Sequence, residues 1–322
     1  MAERDASLQF WDREVGDPTH SSWLSELSVR LYVNRLIDPE QPRWPLDWFE
    51  ASLGGRRFRR ALSIGCGTGA LERDLVLRNL CGHVDGFDGS LSSLALARSE
   101  ARQHGMEGRI RYFASDFNRA VLPAGTYDLV LFHQSLHHVE RLEHLFRGVM
   151  GALSPDGLLY LDEYVGPSRD AWGRATLRDA EAVYKTIPRA ARRHDSVPPP
   201  VQADDPSEAV RSGEILPLLR VGFRTLAQRG YGGNLLSVLF PIVQWSAAGP
   251  TLLEELISAE ERLLAGGAEN SYYTILVARP RRGLAAAAAA LAYRVLESMA
   301  RFRRLLYRAR SSIGVTSIGV RS

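Results

Sequence analysis

Cysteine is nearly missing from this chain: the 322 residues hold only Cys66 and Cys81. That excludes a disulfide framework and a cysteine-built metal centre, and it makes a reducing cytoplasm the expected compartment. Lysine is scarcer still. Lys185 stands alone among 40 basic residues, so arginine carries the positive charge. The charged start Glu3-Arg4-Asp5 is not followed by the apolar core of a signal peptide. The alanine-rich run between Arg282 and Arg294 has 11 uncharged residues, well short of the ~20 that span a bilayer. No internal repeat is visible, and low complexity is confined to the alanines at 285–290.

What remains is ordinary soluble material, 45% hydrophobic and 24% charged. The net charge of +3 is unevenly spread. Residues 281–322 carry nine arginines against the single acid Glu297, about +8, which leaves −5 for the first 280 residues. The body is mildly acidic, so the basic total is not the footprint of a nucleic-acid-binding surface, and no nucleic-acid partner is expected.

The chain is organised around Arg59-Arg60-Ala61-Leu62-Ser63-Ile64-Gly65-Cys66-Gly67-Thr68-Gly69-Ala70-Leu71-Glu72. A short apolar run reads as a buried parallel strand. Three alternate glycines follow, then a helical period through Leu71, Leu75 and Val76. Glycines permit positive φ and remove Cβ atoms where a ligand must touch backbone. The free N–H groups at the start of the next helix favour a negative group. Alone, the turn is ambiguous. Gly65, Gly67 and Ala70 fit the dinucleotide pattern G-x-G-x-x-G/A, while Gly65, Gly67 and Gly69 fit the G-x-G-x-G of methyl-donor enzymes.

Alternation of strands and helices over 59–165 predicts an α/β fold, doubly wound, with a mostly parallel, Rossmann-like sheet. His83-Val84-Asp85-Gly86-Phe87-Asp88 is a second strand, and Asp88 lies where an acid holds ribose hydroxyls. A helix from Ser90, a third strand over 109–114 ending at Asp116-Phe117, and a fourth over 127–132 running into His133-Gln134-Ser135-Leu136-His137-His138-Val139 follow. A helix over 140–153 is stopped by Ser154-Pro155-Asp156-Gly157, and a fifth strand covers 158–165. Sixth and seventh strands cover 223–228 and 273–278. Residues 1–58 read as an N-terminal helical cap, with Leu27, Leu31, Val33 and Leu36 as one apolar face and Trp44, Trp48 and Phe49 packing onto the sheet. The insertion 166–219, with a proline hinge at 198–200 and a second helix opened by Pro206-Ser207-Glu208, is expected to form a mobile lid within a catalytic domain over 59–280.

These residues resemble a class I S-adenosylmethionine-dependent methyltransferase of the small-molecule type related to ubiquinone and sugar methyltransferases. The resemblance covers 59–165 closely, and the two final strands fit the family's seven-stranded sheet with its reversed last strand. It implies that Ser63, Gly65, Cys66, Gly67 and Gly69 wrap the methionine end of S-adenosyl-L-methionine. It also implies that Asp88, with Ser90, binds the ribose, that Asp116 and Phe117 hold the adenine, and that His133 borders the methyl group. One departure stands out: the family has Asp or Glu where this chain has Ser63. Loss of one charged hydrogen bond there is worth about 1.5–3 kcal/mol. After the fourth strand, His133-Gln134-Ser135 stands where nucleic-acid amino-methyltransferases carry Asp/Asn-Pro-Pro-aromatic.

Methyl transfer to a hydroxyl needs alignment, exclusion of water and a base. His133, His137, Glu163 and Tyr164, at the carboxyl ends of strands four and five, are the candidate catalytic groups. No metal is expected, because no strict ligand set accompanies the histidines. The expected acceptor is a small or glycan-linked molecule methylated at oxygen. The competing expectation is a non-catalytic cofactor-binding or scaffold protein that docks through its tail. Residues 284–310 read as an Arg-rich amphipathic helix outside the catalytic sheet. It presents Leu291, Val295, Leu296, Met299, Phe302, Leu305 and Leu306 on one side, and peripheral contact with an anionic membrane is physically open to it.

Overall fold

The computed structural model describes residue 12 and residues 22–202, 204–266 and 271–312, with side chains in the last helix described as far as 302. Helices α1 (Leu27–Ile37) and α2 (Pro45–Ser52) precede β1 (Phe58–Ile64), α3 (Ala70–Leu77), β2 (Cys81–Asp88) and α4 (Leu91–Gln103). Then come β3 (Ile110–Ala114), β4 (Tyr127–His133), α5 (Leu142–Ala152) and β5 (Leu153–Tyr164). The second half holds α6 (Arg178–Thr186), α7 (Ile215–Gly222), β6 (Phe223–Gly230), a single turn α8 (Leu236–Leu239), α9 (Leu252–Ala265), β7 (Tyr273–Pro280) and α10 (Gly283–Ser312).

The seven strands order as β3-β2-β1-β4-β5-β7-β6. The first five pair in parallel, and β7 runs antiparallel to both β5 and β6. The expected α/β sheet with a reversed last strand is therefore what forms. Order reverses between β1 and β4, so the carboxyl ends of those strands flank the crevice where such sheets bind ligands. Alternation along β1 divides the core: Ala61 belongs to the layer under α1–α4, while Leu62 and Ile64 join Phe132, Leu161, Phe146 and Tyr293 in the layer under α5, α7 and α10.

Three local expectations are corrected. The buried face of α1 is Val29, Tyr32, Val33 and Ile37, while Leu27 and Leu31 are exposed. Tyr32 decides this, because its hydroxyl donates to Glu260, 228 residues away. The strand expected from 158 starts at Leu153, directly after α5. The helix expected from Pro206 starts only at Ile215, and it packs on the sheet's flank with α5 and α10, so the insertion proper ends near 214. The last helix, α10, lies outside the sheet as read, and it packs on the body. Ala289 and Tyr293 are buried, the Tyr293 hydroxyl donates to the Leu218 carbonyl, and Arg141 pairs with Glu297. Leu291, Val295, Met299 and Phe302 stay exposed on its outer side, while Leu296 packs inward. Leu305 and Leu306 lie outside the described side chains.

Candidate active site

The glycine turn leaves β1 at the sheet's switch point. Gly65 has φ 78°, and a Cβ there would sit 2.3 Å from Cβ of Ser135, so both conformation and contact demand glycine. At Gly67, φ is 51° and no atom lies within 4 Å of a would-be Cβ, so the backbone faces open space. Gly69 caps α3 in the left-handed region, and the Tyr112 hydroxyl donates to its carbonyl. Cys66 is buried, and burial pushes its thiol far above its ordinary range, so it is an inert packing group.

Asp88 ends β2 with one carboxylate oxygen accepting from Gly67 N and the other from Ser90 N, both at 2.9 Å. Burial raises its pKa and these backbone bonds only partly offset that. Ser90 caps α4 by accepting from Ser93 N at 3.1 Å, and its hydroxyl donates to Asp12. At the end of β3, Asp116 accepts from Asn118 N and Phe117 packs 5.7 Å from the Phe87 ring. Asp88 thus ties the glycine turn to Ser90, and Phe117 stands 3.5 Å from where a Gly65 Cβ would lie.

Ser63 is buried beside a residue that sequence reasoning missed. Glu72, on α3, is wholly buried, and neither carboxylate oxygen has a hydrogen-bond partner among the described residues. Burial pushes its pKa up to about 7; the nearby Ser63 hydroxyl and the His133 ring relieve this only in part. The signal was available: Glu72 shares the helical stripe of Leu75 and Val76, an acid where an apolar residue belongs.

The turn after β4 separates the other candidates. His133 Nδ1 lies 3.0 Å from Asp162, whose second oxygen accepts from the Tyr231 hydroxyl at 2.5 Å. The His133 side chain keeps 45% of its surface open. Burial lowers its pKa, but Asp162, Glu163 and Glu72 outweigh that and raise it above 6.5. Glu163 is wholly buried and accepts from the N–H groups of Ser135, Leu136 and Tyr164 and from His137. Tyr164 is buried, its hydroxyl donates to the Pro167 carbonyl, and burial raises its pKa far above the ordinary range. Those two side chains hold the turn in shape and are closed to an acceptor, contrary to the reading of them as bases. Burial disfavours charge on His137, yet Glu163 and Glu208 raise its pKa to about 9. Asp162, Tyr231 and Glu208 were also missed, since only the fold brings them to the histidines.

A methyltransferase-domain family model matches residues 62–161, the stretch from β1 to β5. That stretch is a methyltransferase domain of the class I, S-adenosylmethionine-dependent type. A ubiquinone biosynthesis O-methyltransferase of Aeromonas salmonicida is 27% identical over 174 residues, covering 54% of this chain and 68% of that protein. A ubiquinone/menaquinone biosynthesis C-methyltransferase of Azotobacter vinelandii is 30% identical over 122 residues, covering 38% of this chain and 48% of that one. The chain thus spans about half the length of the second relative. A crystal structure of geranyl diphosphate C-methyltransferase from Streptomyces coelicolor shares the fold, at TM-score 0.53 and 12% identity over 87% of this chain and 99% of that one.

The residues present fit the methyltransferase's cofactor, S-adenosylmethionine. The backbone at Gly67 faces open space and the orphaned Glu72 carboxylate beside Ser63 offers an anion to a cationic ligand. No helix among the described residues is long and apolar enough to cross a membrane.

Proposed function

We propose that this methyltransferase acts on a hydroxyl of a small or glycan-linked acceptor, with His133 as the general base. The observation that carries this reading is the Tyr231–Asp162–His133 chain at the carboxyl end of β4. Asp162 accepts from His133 Nδ1–H, which fixes the tautomer and turns Nε2 into the proton acceptor. The bound cofactor supplies an electrophilic methyl group. Around it, Gly65, Cys66, Gly67 and Gly69 offer backbone, Asp88 and Ser90 take the ribose, Asp116 and Phe117 take the adenine, and Glu72 faces the positive methionine end in place of the acid absent at Ser63. Glu163 holds the Ser135–Leu136 backbone so that His133 keeps its place. An O-methylating and a C-methylating relative are both similar to this chain, and transfer to either atom releases a proton that His133 would take.

Residues 166–214 form the lid of this reading, over the carboxyl face of β4 and β5. The exposed stripe of α10, flanked by Arg294 and Arg301, is its membrane-facing surface, with an anionic lipid headgroup layer as the partner. The deciding assay is incubation of the purified protein with radiolabelled methyl donor and fractionated host extract, beside His133→Gln. Label transferred by the wild type and lost in the variant supports the reading. Tight cofactor binding with no transfer in any fraction would leave a non-catalytic binding protein.

A further inference from the structure

Behind His133 lies a second cluster that methyl transfer does not use. His137 and His138 follow β4 in a short helical turn, and Glu208 comes from the insertion. Their rings lie 4.1 Å apart, and both Nε2 atoms stand 3.7 Å from one oxygen of Glu208. The three donor atoms lie within 4.8 Å of one another. Each imidazole is oriented from its far side. His137 Nδ1 bonds Glu163, and His138 Nδ1 lies 3.0 Å from Ser207 Oγ. Because the Ser207 hydroxyl itself donates to Asp205 at 2.7 Å, its oxygen accepts from His138 Nδ1–H. Both rings therefore direct Nε2 toward Glu208.

We propose that His137 Nε2, His138 Nε2 and Glu208 form a binding site for one divalent cation of the zinc class. Two imidazoles and a carboxylate are a zinc donor set, and three protein ligands leave a fourth position open. Tetrahedral ligands at 2.0–2.1 Å from a metal sit about 3.3 Å apart, so the two 3.7 Å separations to Glu208 need a contraction of a few tenths of an ångström, and the two imidazoles, with donor atoms within 4.8 Å, draw together on binding. Glu163 and the Ser207–Asp205 pair are the outer partners that such histidines require to keep tautomer and orientation. Ligands from the β4 turn and from the insertion would tie the lid's base to the sheet, one residue pair away from the Val210 N–His137 O backbone bond.

The test uses the full chain, stripped with chelator, dialysed and loaded with Zn2+ or Co2+ alone. Elemental analysis should give one metal per chain, Co2+ should show visible absorption of tetrahedral intensity, and Zn2+ should raise the melting temperature by several degrees. Glu208→Gln, at a partly open position, should cut occupancy at least tenfold with circular dichroism unchanged. His138→Gln gives a second, independent loss. A folded wild type that takes up less than a tenth of an equivalent, or a Glu208→Gln protein that loads like wild type, overturns the site and leaves an ion-pair cluster. None of these readouts depends on methyl transfer.

Discussion

His133 and Asp162 are partnered across adjacent parallel strands: the two residues lie opposite each other in the β4–β5 register, and their side chains meet at 3.0 Å. Register alone therefore places a carboxylate behind the imidazole that borders the crevice. The Tyr231 hydroxyl fixes the far oxygen of Asp162, so the pair has little freedom to rotate.

The first prediction follows from this pairing. The folded pKa of His133 is raised above 6.5, so the protonated pair stabilises the fold fully below 6.5 and that contribution is lost as pH rises through the raised value. A base must be neutral, so activity should climb over that same window. A proton NMR titration should place His133 above 6.5, and Asp162→Asn should bring it down and lower kcat by roughly tenfold or more. A His133 that titrates identically in the variant would detach Asp162 from its positioning role.

Glu72 gives the second prediction, and here the sign is opposite for protein and complex. Its pKa is raised to about 7, so in the free protein its burial favours the fold below the ordinary 4.5 and costs stability as pH rises through about 7. A bound ammonium reverses that by pairing with the ionised carboxylate. S-adenosylhomocysteine affinity should therefore rise between pH 6 and pH 8. Glu72→Gln should weaken binding about tenfold, or about 1.4 kcal/mol, and flatten the pH dependence. Calorimetry that finds the slope unchanged in the variant would assign it to another group. Asp88→Ala should lose a similar factor without any change of slope.

Much of the frame was legible because local signals agreed. The apolar run before Gly65, the acid closing β2 and the continuous strand from Tyr127 each state their role within a few residues. Leu27 and Leu31 misled because periodicity ranks residues by apolarity, whereas α1 is oriented by the distant Tyr32–Glu260 bond. Glu208 and Tyr231 were illegible for the same reason, since each reaches the β4 turn from at least 70 residues away in the chain. Glu163 looked like a base because its strand position is right. Only the structure shows four donors already filling its oxygens.

The insertion yields a third prediction. Its stretch 191–194 is tied to 242–244 by backbone bonds from Arg193 N to Ile242 O and from Gln244 N to Ala191 O, so cleavage there needs local opening, and 198–200 beside it carries three prolines. Trypsin should cut near 192–193, and more slowly once cofactor and acceptor are present. Equal rates with and without ligands would make the segment a fixed part of the scaffold.

The last prediction concerns the two faces of α10. One face is committed: Tyr293 is buried against Phe146 and Gly222, and Glu297 is clamped by Arg141 and Arg301. The clamp holds the Glu297 carboxyl below its usual range against the effect of burial. The other face shows Leu291 at 62%, Val295 at 52%, Met299 at 49% and Phe302 at 62% exposure, a spacing of about one helical turn. An apolar stripe beside arginines matches the interface of an anionic bilayer, where burial of the stripe and attraction to the headgroups add. Liposomes rich in phosphatidylserine should carry the full chain to the top of a density gradient at low salt, and markedly less at 0.5 M salt, where charges are screened within about 4 Å. Neutral liposomes should carry little. Leu291→Gln, Val295→Gln and Met299→Gln together change only exposed positions, so the fold should stand while flotation falls at least fivefold. If the triple variant floats as the wild type does, the stripe is not the contact. If neither floats, α10 serves only to cover α5 and α7.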